Sequence, residues 1–306
     1  MSGERVQALN SASLIESWLV ENTALPAENR KSLAQTASTL TAKITNKPNT
    51  TIGISGAPGS GKSTLTRALV HCLDVLGVPA CRLSLDDYYL GRQERESLAA
   101  HVHPLFRQRG VPGTHDLQRL LFDLDAVRSG DVDGLRLPSF DKSVDDRLPE
   151  SHWRTLPAAP QLVLLEGWCV GARPIEPNQY DQDFADMSQM EPSTVIPGRP
   201  RSQDRTWRLG VERAWNEMHQ ELGRRLDRIW YIRVPDWDCV VDWRWQQEQE
   251  LGHMNLPSRL EVIRFLSSFE HIVKHMQRTH TEWADLTIET DRWHNFHLPD
   301  KNKERV

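Results

Sequence analysis

Gly56-Ala-Pro-Gly-Ser-Gly-Lys-Ser-Thr64 decides how this chain folds. It fits GxxxxGK[ST] at Gly56, Gly61, Lys62 and Ser63. Glycines let consecutive backbone N–H groups turn toward one point and approach phosphate oxygens closely. A helix opening at Gly61 adds its own unpaired N–H groups and partial positive charge. Lys62 can bridge terminal phosphates, and the Ser63 hydroxyl can ligate Mg2+. The residues expected to hold a nucleotide are therefore Gly56, Ala57, Pro58, Gly59, Ser60, Gly61, Lys62, Ser63 and Thr64.

The flanks supply the context that this motif requires. Thr51-Ile-Gly-Ile-Ser55 reads as a buried strand before it. Leucines at 65, 69, 73 and 76 give helical spacing after it. Further strands are expected at Ala80–Leu85, Leu162–Leu165, Arg228–Val234 and, as the last, Leu286–Glu289. Asp116 is placed to cap a helix reaching about Val127, and Ser258-Arg-Leu-Glu261 reads as a capping box. The second opens a helix with one apolar face, Val262, Leu266, Phe269, Val273 and Met276. Apolar strands alternating with helices imply α/β architecture, a mostly parallel sheet covered on both faces. Residues 1–47 read as an N-terminal helical extension, two amphipathic helices broken near Pro26, and 48–306 as the phosphate-binding domain. The stretch 176–206, rich in Pro, Gln, Asp and Ser, is expected to be a polar surface loop.

Bulk properties narrow the function. The chain has 306 residues and a formal net charge of −5, with no basic excess to suggest a nucleic-acid partner. No apolar run approaches a membrane span, and no secretory leader is apparent, so a cytoplasmic protein is expected. The four cysteines, Cys72, Cys81, Cys169 and Cys239, are too far apart for a CxxC pair and read as free thiols.

Ser84-Leu-Asp-Asp-Tyr-Tyr-Leu90 places two acids side by side at the carboxyl end of the second strand. In open α/β sheets that edge binds ligands, so the acids would face phosphates and a divalent cation. A solvated turn is the bland alternative. An NKxD guanine signature is missing from the later strands, which discounts a GTPase. A Walker B strand would be Leu162-Val-Leu-Leu-Glu166, with a single glutamate.

The ordered motifs GAPGSGKST, SLDDYYL, RGVPGTHD (109–116), PSFDKSVDDR (138–147), LLEGWCVGARP (164–174) and VPDWDCVVDWRWQQEQEL (234–251) resemble a known family. From about Thr51 to Asp291 the chain is similar to the phosphoribulokinase, uridine kinase and pantothenate kinase superfamily of P-loop kinases. Within it, the chain looks like plant-type D-glycerate 3-kinases and their uncharacterised bacterial and fungal relatives. The resemblance implies a three-layer P-loop kinase fold with a helical lid at about 237–256. It implies Asp86 as general base, with Asp87 in the metal shell, although the doublet leaves open which acid is the base. It implies Glu166 as the acid that binds Mg2+, directly or through water. Arg244, in a lid anchored by Trp237 and Trp243, would stabilise the phosphoryl group in flight. Tyr88 or Tyr89 could wall the acceptor pocket, with His115 and Asp116 beside it, although Asp116 serves equally as an N-cap. Lys142 and Arg147 are candidates for a substrate carboxylate. Phe140 and Asp145 stand where uridine kinases carry a tyrosine and a histidine.

The expectation is therefore an ATP- and Mg2+-dependent kinase of a small-molecule hydroxyl, with D-glycerate as the first acceptor. Another sugar, pantothenate-like acid or nucleoside is the second. A nucleotide-dependent switch or chaperone that binds a protein partner is the third. Oligomeric state is not fixed by these motifs.

Overall fold

A computed structural model describes residues 3–176, 205–250, 256 and 258–299. Six strands form the central sheet: β1 (Thr50–Gly56), β2 (Ala80–Ser84), β3 (Leu162–Glu166), β4 (Arg228–Arg233), β5 (Leu286–Thr290) and β6 (Phe296–His297). Their order is β6-β5-β4-β1-β3-β2. All neighbours are parallel except β6, which runs antiparallel to β5. The expectation that Leu286–Glu289 ends the sheet is thus corrected. Phe296-His297 is too short to announce itself by alternation, and it pairs because Asp291 turns the chain back, accepting from Trp293 N and Asn295 N at 2.9 Å each.

Continuous apolar strands need cover on both faces, and the chain supplies it. One face carries α1 (Gly3–Asn22), α2 (Ala27–Ile44) and α3 (Lys62–Val75). Ile15, Leu19, Leu33 and Leu40 of the first two helices share a buried cluster with Leu65 and Leu69 of α3 and Ile52 and Ile54 of β1. The opposite face is covered by helices Leu117–Ser129, Arg205–Gly223, Trp237–Glu250, Arg259–Leu266 and Glu270–Trp283. Here Leu120, Trp168, Trp215, Val240 and Phe269 share the second cluster. The result is the expected three-layer α/β fold. All four cysteines are buried and free. No helix among the described residues is long and apolar enough to cross a membrane.

Three local expectations change. The strand at Ala80 ends at Ser84, and Leu85–Tyr88 winds into a 3-10 turn. Asp86 and Asp87 therefore diverge by about a third of a turn instead of alternating across a strand. The capping-box helix is two helices. Ser258 accepts from Glu261 N as expected, but the first helix stops at Leu266, where Ser267 Oγ donates back to Arg264 O at 2.7 Å. Phe269 turns inward there to meet Trp168 edge-on at 4.9 Å, and the second helix starts at Glu270. The apolar stripe survives the break, and all five of its residues are buried. The polar loop expected over 176–206 falls outside the described residues at 177–204, and its last two positions belong to the helix from Arg205. Residues 251–255 of the expected lid also lie outside the described residues.

Because α1 and α2 share the core of α3, removing residues 1–46 should take two of three helices from one face of the sheet and expose their side of the buried cluster. The truncated chain is expected to lose cooperative thermal unfolding and to aggregate. A milder check is Leu40→Ala, at a fully buried site, which should cost about 2–4 kcal/mol in urea denaturation.

Candidate active site

The register of the sheet places the first elements of the site. β1 and β3 align Ile54 with Glu166, and β3 and β2 align Glu166 with Ser84. Three donors converge on Glu166 Oε1: Ser63 Oγ at 2.8 Å, Ser84 Oγ at 2.9 Å and Arg82 Nη2 at 2.6 Å. Oε2 receives no donor among the described residues. Glu166 and Ser63 both line a cavity of about 330 Å³ at the carboxyl ends of the strands.

Gly61 enters α3 at φ +87°, a left-handed conformation, and a Cβ there would sit 2.7 Å from Phe296 Cζ. Only glycine suits that corner. Lys62 follows, buried, with Nζ donating to Gly56 O and Ala57 O at 2.9 Å each. An ammonium has three donors, so one remains for a phosphate oxygen. Burial pulls the Lys62 pKa below its ordinary value, while the carboxylates of Glu166 and Asp86 resist that fall. Ser60 Oγ is buried with no hydrogen-bond partner among the described residues. An orphaned hydroxyl, a lysine with a spare donor and a Ser63–Glu166 oxygen pair fit a magnesium–triphosphate group.

Asp86 lines the cavity facing this cradle. Its Oδ2 accepts from Lys142 Nζ at 2.6 Å and its Oδ1 from Tyr89 OH at 3.1 Å. Burial alone would raise its pKa. The charge and hydrogen bond of Lys142, aided by Lys62, hold it well below the ordinary carboxylate range. Asp87 behaves oppositely. Burial raises its pKa above the ordinary value, with Arg82 as the main opposing charge. The two acids are thus separated by environment, one kept charged beside the cavity and one whose burial outweighs the field of Arg82.

The helix Trp237–Glu250 covers the cradle. A Cβ on Gly59 would lie 3.6 Å from Trp243 Cβ and 3.8 Å from Arg244 N. Trp243 stacks on His294 with centroids 3.8 Å apart and planes 10° apart. Arg244 lines the cavity, paired with Glu248 and with Gln247 Oε1 at 2.6 Å. Trp237 is half-buried against the second core cluster.

The remaining expected acceptor residues separate. Tyr88 leaves the site and is corrected to a core residue, since its OH donates to the buried Asp123 Oδ2 at 3.1 Å. Tyr89 is the tyrosine that lines the cavity. His115 is buried and stacked on Tyr89 at 4.5 Å, and burial lowers its pKa to about 4, so the ring is neutral near pH 7. It backs the wall rather than forming it. Asp116 is the N-cap, accepting from Arg119 N at 3.1 Å. Arg147 is engaged with Tyr89 O at 3.1 Å and Asp116 Oδ2 at 3.2 Å. These two hold the loop together. Besides Tyr89, only Lys142 of that group reaches the cavity, on Asp86. Sequence reading passed over Arg82, Trp168 and His294. Alternation along β2 could have placed Arg82 on the same face as Ser84, whereas Trp168 and His294 carry no local signal.

No family model matches the sequence. The chain is 32% identical over 234 residues to the "Uncharacterized kinase mug58" of Schizosaccharomyces pombe, a match covering 71% of this chain and 77% of that protein. It is 30% identical over 136 residues to the chloroplastic D-glycerate 3-kinase of Arabidopsis thaliana, covering 42% of this chain but only 30% of that one. Among solved structures, D-glycerate 3-kinase from Cryptococcus neoformans superposes with a TM-score of 0.61 at 21% identity, over 96% of this chain and 97% of its own. That likeness is one of fold.

Lys142 is the chief cause of the low Asp86 pKa, so Lys142→Met should raise it, because burial then acts without its main opponent. The Asp86 carboxyl resonance should titrate at higher pH by NMR, and the acid limb of any activity that needs the charged carboxylate should move the same way. An unmoved resonance would assign the shift to another cation.

Proposed function

The chain belongs to the P-loop kinase family, and from that premise we propose that it transfers the γ-phosphoryl group of ATP to a hydroxyl of D-glycerate. The observation that carries this reading is the placement of a charged Asp86 in one cavity with Lys62, Ser63 and Glu166. Bound magnesium would supply charge neutralisation at the phosphates, held by the Ser63 hydroxyl and Glu166, with Asp87, whose field reaches Glu166, as the candidate for its water shell. Lys62 and Arg244 would offset charge on the equatorial oxygens.

Asp86 is the candidate base. Its acceptor hydroxyl would give up its proton as the new P–O bond forms and the bond to the leaving diphosphate breaks. A carboxylate with a depressed pKa is a weak base. That is compatible with phosphoryl transfer, whose loose transition state asks the nucleophile to lose its proton late. Placement then matters more than basicity, and the hydrogen bonds from Lys142 and Tyr89 fix the carboxylate in place. The lid helix over Gly59 would exclude water, which otherwise competes as acceptor.

The acceptor side favours a small acid over a nucleoside. Phe140 lies edge-on to Tyr89 at 5.3 Å, and Asp145 is taken up in ion pairs with Arg95 and Arg109. Similarity to the Arabidopsis D-glycerate 3-kinase supports the choice among small acids.

Lys62→Ala should abolish turnover. Asp86→Asn should keep ATP affinity while lowering kcat by about 100-fold or more. A coupled assay over hydroxy acids, sugars and nucleosides should show D-glycerate with the highest kcat/KM. Preference for a sugar or nucleoside would replace the acceptor and keep the kinase. Near-normal kcat in Asp86→Asn would remove the base.

A further inference from the structure

Of the cations on the acceptor side of the site, three among the described residues are already committed. Arg147 is spent on Tyr89 O and Asp116, Lys142 on Asp86, and Arg244 on Glu248 and Gln247. Arg109 differs. It lines the cavity, yet its only hydrogen-bond partner among the described residues is Asp145, reached through Nη1. Its guanidinium also lies 5.5 Å from the centre of the Phe140 ring. Five N–H donors in a planar fork therefore have one protein acceptor between them.

The fork is held from behind. Gly110, the next residue, takes φ +137°, and a Cβ there would collide with Phe269 Cζ at 2.2 Å. Gly110 O accepts from the buried Trp168 Nε1 at 2.8 Å. Asp145 has a left-handed φ of 56°, unusual for a residue with a side chain. It stays there because Arg95, 1% exposed, donates from Nη1 to its Oδ2 at 3.1 Å. Arg95 is itself tied to Leu90 O at 3.0 Å and Arg107 O at 2.8 Å. A buried arginine thus fixes an aspartate, and the aspartate fixes one prong of a second arginine. The other prongs, Nε and Nη2, are left for a ligand.

We propose that Arg109 binds the carboxylate of a small hydroxy-acid acceptor through Nε and Nη2, with Asp145 and Arg95 as positioning residues. This rests on the phosphoryl-transfer reading above and names the residue that selects acid over neutral alcohol. A carboxylate accepts two parallel N–H bonds from such a fork, and a polyol without that group leaves the fork unpaired. Aspartate at 145 keeps Arg109 from swinging onto Asp86, which Lys142 already occupies.

The test measures kcat and KM of the full chain with D-glycerate and with glycerol, for wild type, Arg109→Gln and Arg109→Lys. In Arg109→Gln the glycerate-over-glycerol ratio of kcat/KM should fall about 100-fold, mostly through the KM for glycerate. Arg109→Lys keeps the charge but loses the fork, so its ratio should fall about tenfold. Asp145→Asn should raise the KM for glycerate with kcat largely kept, the signature of misplacement. An unchanged ratio, or equal loss with both acceptors, overturns the role of Arg109 and leaves the kinase reading standing. If wild type prefers another hydroxy acid, and Arg109→Gln raises the KM for that acid, glycerate falls and Arg109 stands. If wild type uses only neutral alcohols, the acid acceptor and the role of Arg109 fall while the kinase reading stands; if it phosphorylates no alcohol and binds no hydroxy acid, both readings fall.

Discussion

A carboxylate with 2% of its surface exposed must be matched or neutralised, and Glu166 is matched three times on one oxygen. Its donors come from α3, from β2 and from a side chain that also stands on β2. The carboxylate therefore fastens the phosphate loop's helix to β2, the next strand, and to β3, which follows much later in the chain. Parallel pairing makes this possible, because Ser84 and Glu166 are register partners and point to one side of the sheet. Without that match, a buried acid at the strand end would be a liability. With it, the remaining oxygen is a fixed, charged acceptor beside the Ser63 hydroxyl.

The same balance explains two adjacent aspartates at the end of β2. Like charges on neighbouring residues repel, and a straight strand would send them to opposite faces. The 3-10 turn instead sets them about a third of a turn apart, with both near the strand end. Asp86 is paired with Lys142 and lies in the field of Lys62, which hold it charged. Asp87 has only the field of Arg82, and burial still lifts its pKa. Arg82 then serves two acids, Glu166 directly and Asp87 through its field. Cations from β2, from the 140s loop and from the phosphate loop divide the work among three carboxylates.

Much of this was legible in the sequence, wherever the signal was local. The nine residues of the phosphate loop, the strand before them and the leucine spacing after them specify one another, and the sheet follows from alternation of strands and helices. Ser258 and Asp116 act as caps because capping depends on residues three apart. What could not be read was set by contacts distant in sequence. Tyr88 and Tyr89 are chemically alike, and only the 3-10 turn sends one to Asp123 and the other to the cavity. Arg147 has the chemistry of a carboxylate binder, but the fold spends it on a backbone carbonyl and an N-cap 31 residues away. The split after Leu266 depends on Phe269 finding Trp168, which no helical period encodes.

The N-terminal helices show the same limit from the other side, and they reach the site through β6. Phe296 N donates to Ser32 Oγ at 3.2 Å, and Asn29 Nδ2 donates to Trp293 O at 2.6 Å and Asn295 Oδ1 at 3.1 Å. These bonds hold the segment 293–296 against α2. Phe296 in turn fills the space that a side chain at Gly61 would need, and His294, at φ 68°, lies flat on Trp243. A left-handed histidine is costly, and the stack on an indole together with burial offsets that cost. One short segment therefore touches the glycine that opens α3 and the tryptophan that precedes Arg244. Leu25, Asn29 and Leu33 line the same cavity as Lys62. A helical pair that reads as an appendage in sequence is thus joined, through four residues near the other end of the chain, to both the floor and the cover of the phosphate cradle.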